Sequence, residues 1–181
     1  MVKCILIAAG VLLVATVAGC SVPRSVAEGG PIGGHRVDPS VKVLILNVQD
    51  GQEQGQDPAH GSGRGVVEAL RKQLTMHGIP LSTTDTMSLA AGLDEAKGAG
   101  FGYVCRSTIT LWEDNATAWS GNGDKLTLSV DLYDAKTREL VAAATHRRVA
   151  TGATLVSGSP DRFTDEVASG ALGRIYGWTQ H

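Results

Sequence analysis

The chain has 181 residues, 43% apolar, 4% aromatic and 19% charged, with 16 basic against 18 acidic residues and a formal charge of −2. That composition excludes a chain disordered throughout and a polytopic membrane protein, and it fits one domain. With an isoelectric point near 6.2 there is no whole-protein field to draw in nucleic acid.

Residues 1 to 19 carry one positive charge, Lys3, then the apolar run Ile5 to Val17, then Ala18-Gly19, which reads as a secretory signal peptide. The run stops short of the roughly 20 apolar residues a membrane span needs. It ends in Val17-Ala18-Gly19-Cys20, which resembles the bacterial lipobox, an aliphatic residue and two small ones before a cysteine. The resemblance implies cleavage before Cys20, a diacylglycerol thioether on its sulfur and acylation of the new amino terminus. Several chains, each adding about 0.8 kcal/mol per buried methylene, give stable anchoring. Ser21 rather than aspartate after the lipid cysteine is similar to outer-membrane sorting, so the inner leaflet of the outer membrane, facing the periplasm, is the expected address. Cleavage would leave 15 basic and 18 acidic residues from 20 to 181, with Cys105 as the one unlipidated cysteine and no partner for an intramolecular disulfide. Cys105 lies in an apolar run and reads as a small buried hydrophobe.

Residues 20 to 40 hold three prolines and four glycines and read as a lipidated flexible tether with a root-mean-square span of about 25 Å. The domain is expected over 41 to 178. Val41 to Val48 is almost wholly apolar, as in an inner strand covered on both faces. Past the polar stretch 49 to 63, Val66, Val67, Leu70 and Leu74 mark a helical face, Glu68 is spaced to pair with Lys72, and Gly78-Ile79-Pro80 is a stop. Ile79 to Thr84 is a short strand and Ser88 to Lys97 a short helix with Leu89, Leu93 and Ala96 inward. In the strand Phe101 to Trp112, Tyr103, Cys105, Ile109 and Leu111 share one face, with Arg106, Thr108 and Thr110 on the other. Asp124 to Tyr133 alternates cleanly, turns through 134 to 137 and returns as Glu139 to Val149, an antiparallel meander. Ser159-Pro160 opens a last helix with Phe163, Val167, Ala171 and Ile175 spaced four apart. The order β-α-β-α-β-β-β-α defines a single α/β sandwich with a mixed sheet.

Gly61-Ser62-Gly63-Arg64-Gly65 sits a dozen residues past its strand, too far for a dinucleotide fingerprint. The helix start there, with Arg64, could still hold an anion. The five histidines show no zinc spacing, and no nucleophile elbow or carboxylate dyad is legible, so neither metal nor cofactor is expected beyond the lipid on Cys20, and catalysis is not. Trp112-Glu113-Asp114, with Trp119 seven residues beyond the first indole, is the candidate binding stretch. Exposed indoles beside carboxylates suit a protein partner or stacking on a glycan; alternatively the rings pack back on the sheet.

Around this stretch the chain resembles a family of bacterial lipoproteins catalogued as domain of unknown function 4823. The residues that carry the resemblance are Ala96-x-x-Ala99-Gly100, the strand Tyr103 to Leu111, Trp112-Glu113-Asp114-x-x-Thr117-x-Trp119-Ser120-Gly121, Asp124, and Leu132-Tyr133-Asp134. It implies an envelope lipoprotein, and it brings no known activity or catalytic residues. The element order is more distantly similar to periplasmic domains of the curli-secretion lipoprotein and of lipoprotein activators of penicillin-binding proteins, which bind or assemble. The expectation is a membrane-anchored, non-enzymatic module that binds an envelope protein or its own copies; the alternative is a carbohydrate-binding module, or a hydrolase, acting on peptidoglycan or polysaccharide.

Overall fold

The computed structural model describes residues 25–34, 36–115, 123–150 and 158–178. Its strands are β1 (Ser25–Pro31), β2 (Val43–Ile45), β3 (Leu81–Thr83), β4 (Tyr103–Glu113), β5 (Lys125–Asp134) and β6 (Leu140–Val149); its helices are α1 (Ser62–Met76), α2 (Leu89–Ala99) and α3 (Thr164–Tyr176), the last preceded by a 3₁₀ turn, Pro160–Phe163. The strands form one mixed sheet in the order β1-β6-β5-β4-β2-β3. From β2 onward the elements follow the order read from the sequence, and the meander β4-β5-β6 is antiparallel throughout.

Both faces of β2 are covered, which is why its sequence is continuously apolar. Val43 and Ile45 join the core under α1 and α3, while Leu44 and Leu46 pack with Leu93 and Ala96 of α2 and with Val104. A Cβ on Gly92 would stand 2.3 Å from Leu46 Cδ2, so the glycine lets α2 lie close against the sheet. On β5 the alternation holds residue by residue, with Leu126, Leu128, Val130 and Leu132 buried beneath α3. The opposite face beyond α2 carries hydroxyls, among them Ser129 Oγ and Thr145 Oγ1 at 3.0 Å.

Three details depart from the sequence reading. The tether expected over 20 to 40 loses residues 25–31 to the sheet. β1 pairs antiparallel with β6 from Ser25↔Arg148 to Pro31↔Ala142, and Val37 beyond it is buried. Gly29, Gly30 and Pro31 are poor strand formers, yet Gly29 has φ +97° and a Cβ there would meet the Ala143 carbonyl oxygen at 2.2 Å, so the close edge pairing needs the glycine. Second, a bulge between Ile109 and Leu111 breaks the alternation of β4. Leu111 therefore leaves the face of Ile109, and Trp112, opposite Leu126, turns into the core. Third, Glu68 pairs with Arg71 at 2.9 Å, and Lys72 reaches across to Asp165 of α3 at 2.6 Å.

Candidate strand-end site

The candidate stretch lies where β4 ends and β5 begins, and its residues have separate fates. Trp112 is 5% exposed. Its ring lies against Gly51, where a Cβ would stand 2.9 Å from Cδ2, so the indole fills the space under the 49–61 loop instead of offering a face to a partner. The bulge is the physical reason: it inverts the side on which residue 112 falls. Trp119 lies outside the described residues, as does Cys20.

Glu113 accepts a hydrogen bond from Lys125 Nζ at 2.6 Å, and this contact above all holds its carboxyl below the usual range. Asp114 is pushed the other way, first by burial and then by the negative charges of Asp124, Glu53 and Asp161, with Arg162 opposing. Its backbone N–H points to Glu53 Oε2 at 3.4 Å.

The centre of this end is Asp124, 4% exposed. Its carboxylate takes the guanidinium of Arg162 at 2.5 Å and the backbone N–H of Asn115 at 3.0 Å, while its carbonyl accepts from Ala150 N at 2.8 Å. Arg162 also lies over the Phe163 ring, 4.8 Å from its centroid. One aspartate thus joins the end of β4, the end of β6 and the turn leading into α3. In the sequence Asp124 showed as a strand start and as one residue of the family resemblance, and Arg162, 38 positions away, carried no signal at all.

The glycine-rich stretch before α1 is also pinned. Asp50 accepts from Gly61 N at 3.1 Å and Gly63 N at 2.8 Å, and Ser62 Oγ accepts from Gly51 N at 2.9 Å. The anion seat considered at this helix start is therefore filled by the chain's own carboxylate. A Cβ on Gly63 would meet the Val48 carbonyl oxygen at 2.1 Å, so the glycine serves a close approach of α1 to the segment that follows β2.

Among the described residues no group of three His, Cys, Asp or Glu side chains is placed to hold a metal ion. Cys105 is fully buried, and burial pushes its thiol up to about 12, which leaves it inert at neutral pH. Chemically, this end of the molecule pairs Glu113 with Lys125 and Asp124 with Arg162, which ties three chain segments together and leaves Asp114 among like charges.

The fold defined here is a mixed α/β sandwich with α1 and α3 on one face and α2 on the other, and no described helix is long and apolar enough to cross a membrane. It is shared with solved proteins. The chain is similar to the PelC dodecamer from Paraburkholderia phytofirmans, with a TM-score of 0.64 at 14% identity, covering 84% of this chain and 98% of that one. A second PelC dodecamer from that organism, a leucine-to-methionine variant in another crystal form, gives 0.57 at 13% identity, with 83% and 95% covered. Protein XCC0632 from Xanthomonas campestris, of the family catalogued as domain of unknown function 330, gives 0.50 at 10% identity, with 83% and 92% covered. No protein-family model matches the chain, and no curated protein matches its sequence.

Proposed function

We propose that this chain is a lipid-anchored, non-enzymatic domain of the bacterial envelope, held by Cys20 to the periplasmic face of the outer membrane, that works by assembling with copies of itself. The observation that carries the reading is the fold. It corresponds to nearly the whole of a chain that forms dodecamers, and in this sequence it follows directly on a lipobox. The resemblance of the stretch from Ala96 to Asp134 to envelope lipoproteins supports an envelope setting without favouring either membrane. The pairing of Glu113 with Lys125 and of Asp124 with Arg162 supports a structural role for those two carboxylates. With Trp112 in the core, a glycan platform built on two indoles loses one of them.

The test is metabolic labelling with a palmitate analogue in a Gram-negative host, followed by separation of the two membranes. The reading expects a labelled chain in the outer-membrane fraction that about 1 M salt does not release, because acyl chains rather than screened charges hold it. Cys20→Ala should lose both label and membrane. An unlabelled chain, or one that salt releases, overturns the anchor; label confined to the inner membrane overturns the address.

A further inference from the structure

Resting on the lipid anchor at Cys20, the inference concerns which end of the domain meets the membrane. The register places Ser25, Arg148, Leu126 and Trp112 in one row across four strands. The sheet end next to that row carries Glu113, Lys125 and Val149. β2 and β3 run parallel to β4 and stop level with Cys105, so the loops that follow them point toward this end, and the turn that leads from β6 into α3 lies at it. At the other end stand the 134–139 turn, the C-terminus of α1 with Met76 69% exposed, and Trp178 stacked on His77 at 3.5 Å.

Cys20 precedes Ser25 by five residues. Whatever path they take, five residues reach at most about 18 Å, at 3.3–3.6 Å each. The strand from the Ser25 row to the 134–139 turn runs about 30 Å at roughly 3.3 Å per residue. With the acyl chains in the bilayer, an inverted domain would hold Ser25 farther from the membrane than the leash extends. We infer that the lipid surface faces the sheet end formed by Glu113, Lys125, Val149 and the turn into α3, and that the end carrying the 134–139 turn and Trp178 does not turn to the membrane.

β1 is what makes this so. Were residues 25–31 a loose tether, either end could reach the bilayer. They are fastened instead, to β6 along their length, by Ser25 Oγ to His146 Nε2 at 2.7 Å and by Arg174 Nε donating to the Gly29 carbonyl at 3.1 Å.

The experiment uses the full lipidated chain in phosphatidylethanolamine/phosphatidylglycerol vesicles containing nitroxide-labelled lipid, with a thiol-reactive fluorophore on Asp161→Cys at the near end, on Gln49→Cys part-way toward it and on Lys136→Cys at the far end. The buried Cys105 does not compete for label. Quenching should be several-fold stronger at 161 and 49 than at 136, and inserting ten Gly/Ser residues between Cys20 and Ser25 should erase most of the difference. A chain that floats with the vesicles but is quenched equally at both ends, or more at 136, overturns the orientation alone. A difference that survives the insertion overturns the leash as its cause. A chain that does not float overturns the lipid anchor, and this inference with it.

Discussion

Ser25 and His146 touch side chain to side chain, Oγ to Nε2 at 2.7 Å, although 121 positions separate them. The contact fastens the first described strand to the sheet's interior, because His146 is 3% exposed and lies against Gly170 of α3. An added Cβ at 170 would stand 1.7 Å from His146 Nδ1. Gly170→Ala is therefore expected to destabilise the domain by about 1–3 kcal/mol, the usual range for overpacking, and to lower Tm measurably. Ser25→Ala should cost about 1 kcal/mol and increase hydrogen exchange in β1 before the rest of the sheet.

The same histidine sets a pH dependence. Burial, the largest influence, lowers its pKa from the ordinary 6.5, with Glu166 opposing and Arg148 adding to the depression. The folded state thus favours neutral imidazole, and the unfolded chain binds the proton more readily. Stability from this group is fully present above pH 6.5 and is lost as pH falls toward the folded value. Urea unfolding at pH 7.5 and 5.5 should show the loss, and His146→Gln should flatten it.

Trp112 supports the 49–61 loop from beneath. Trp112→Ala should cost about 3–5 kcal/mol, as expected for a large buried aromatic, with the loop becoming sensitive to protease. Gly51→Ala brings a Cβ within 2.9 Å of the ring and should produce a smaller effect in the same direction. Resistance of the loop in both variants would contradict the role given to the indole.

Asp124 and Arg162 should respond unequally to truncation. Removing Arg162 leaves the Asp124 carboxylate, 5% exposed, without its cation, whereas removing Asp124 strands the Asn115 N–H and a guanidinium that is 37% exposed and that water partly compensates. Arg162→Ala is expected to cost about 3 kcal/mol and Asp124→Ala about 1–2 kcal/mol. A double-mutant cycle by chemical unfolding measures the coupling.

At the helix start, Asp50→Ala removes the acceptor for two backbone N–H groups and should cost about 1 kcal/mol, while Gly63→Ala, which meets backbone at 2.1 Å, should cost more.

The elements from β2 to α3 were legible because each carries its own period: the apolar 43–46, the alternation 126–132, the four-residue spacing from Phe163 to Ile175. β1 was hidden because Gly29-Gly30-Pro31 argues locally for a loop, and only docking against β6 and Arg174 makes it a strand. The bulge beside Thr110 left no mark either, since one extra residue in an alternating strand resembles ordinary polar spacing, and so the side on which Trp112 falls could not be read. Glu113 and Asp114 do sit together at the strand end, but the residues that organise it, Asp124 and Arg162, meet only through the closing of the meander and α3.

Native mass spectrometry of the full-length chain, extracted from membranes in a mild detergent, reads anchor and assembly at once. The account predicts a protomer that begins at Cys20, carries the added mass of diacylglycerol, and travels in a discrete multimer. A protomer of unmodified mass that remains monomeric across the accessible concentrations would contradict it.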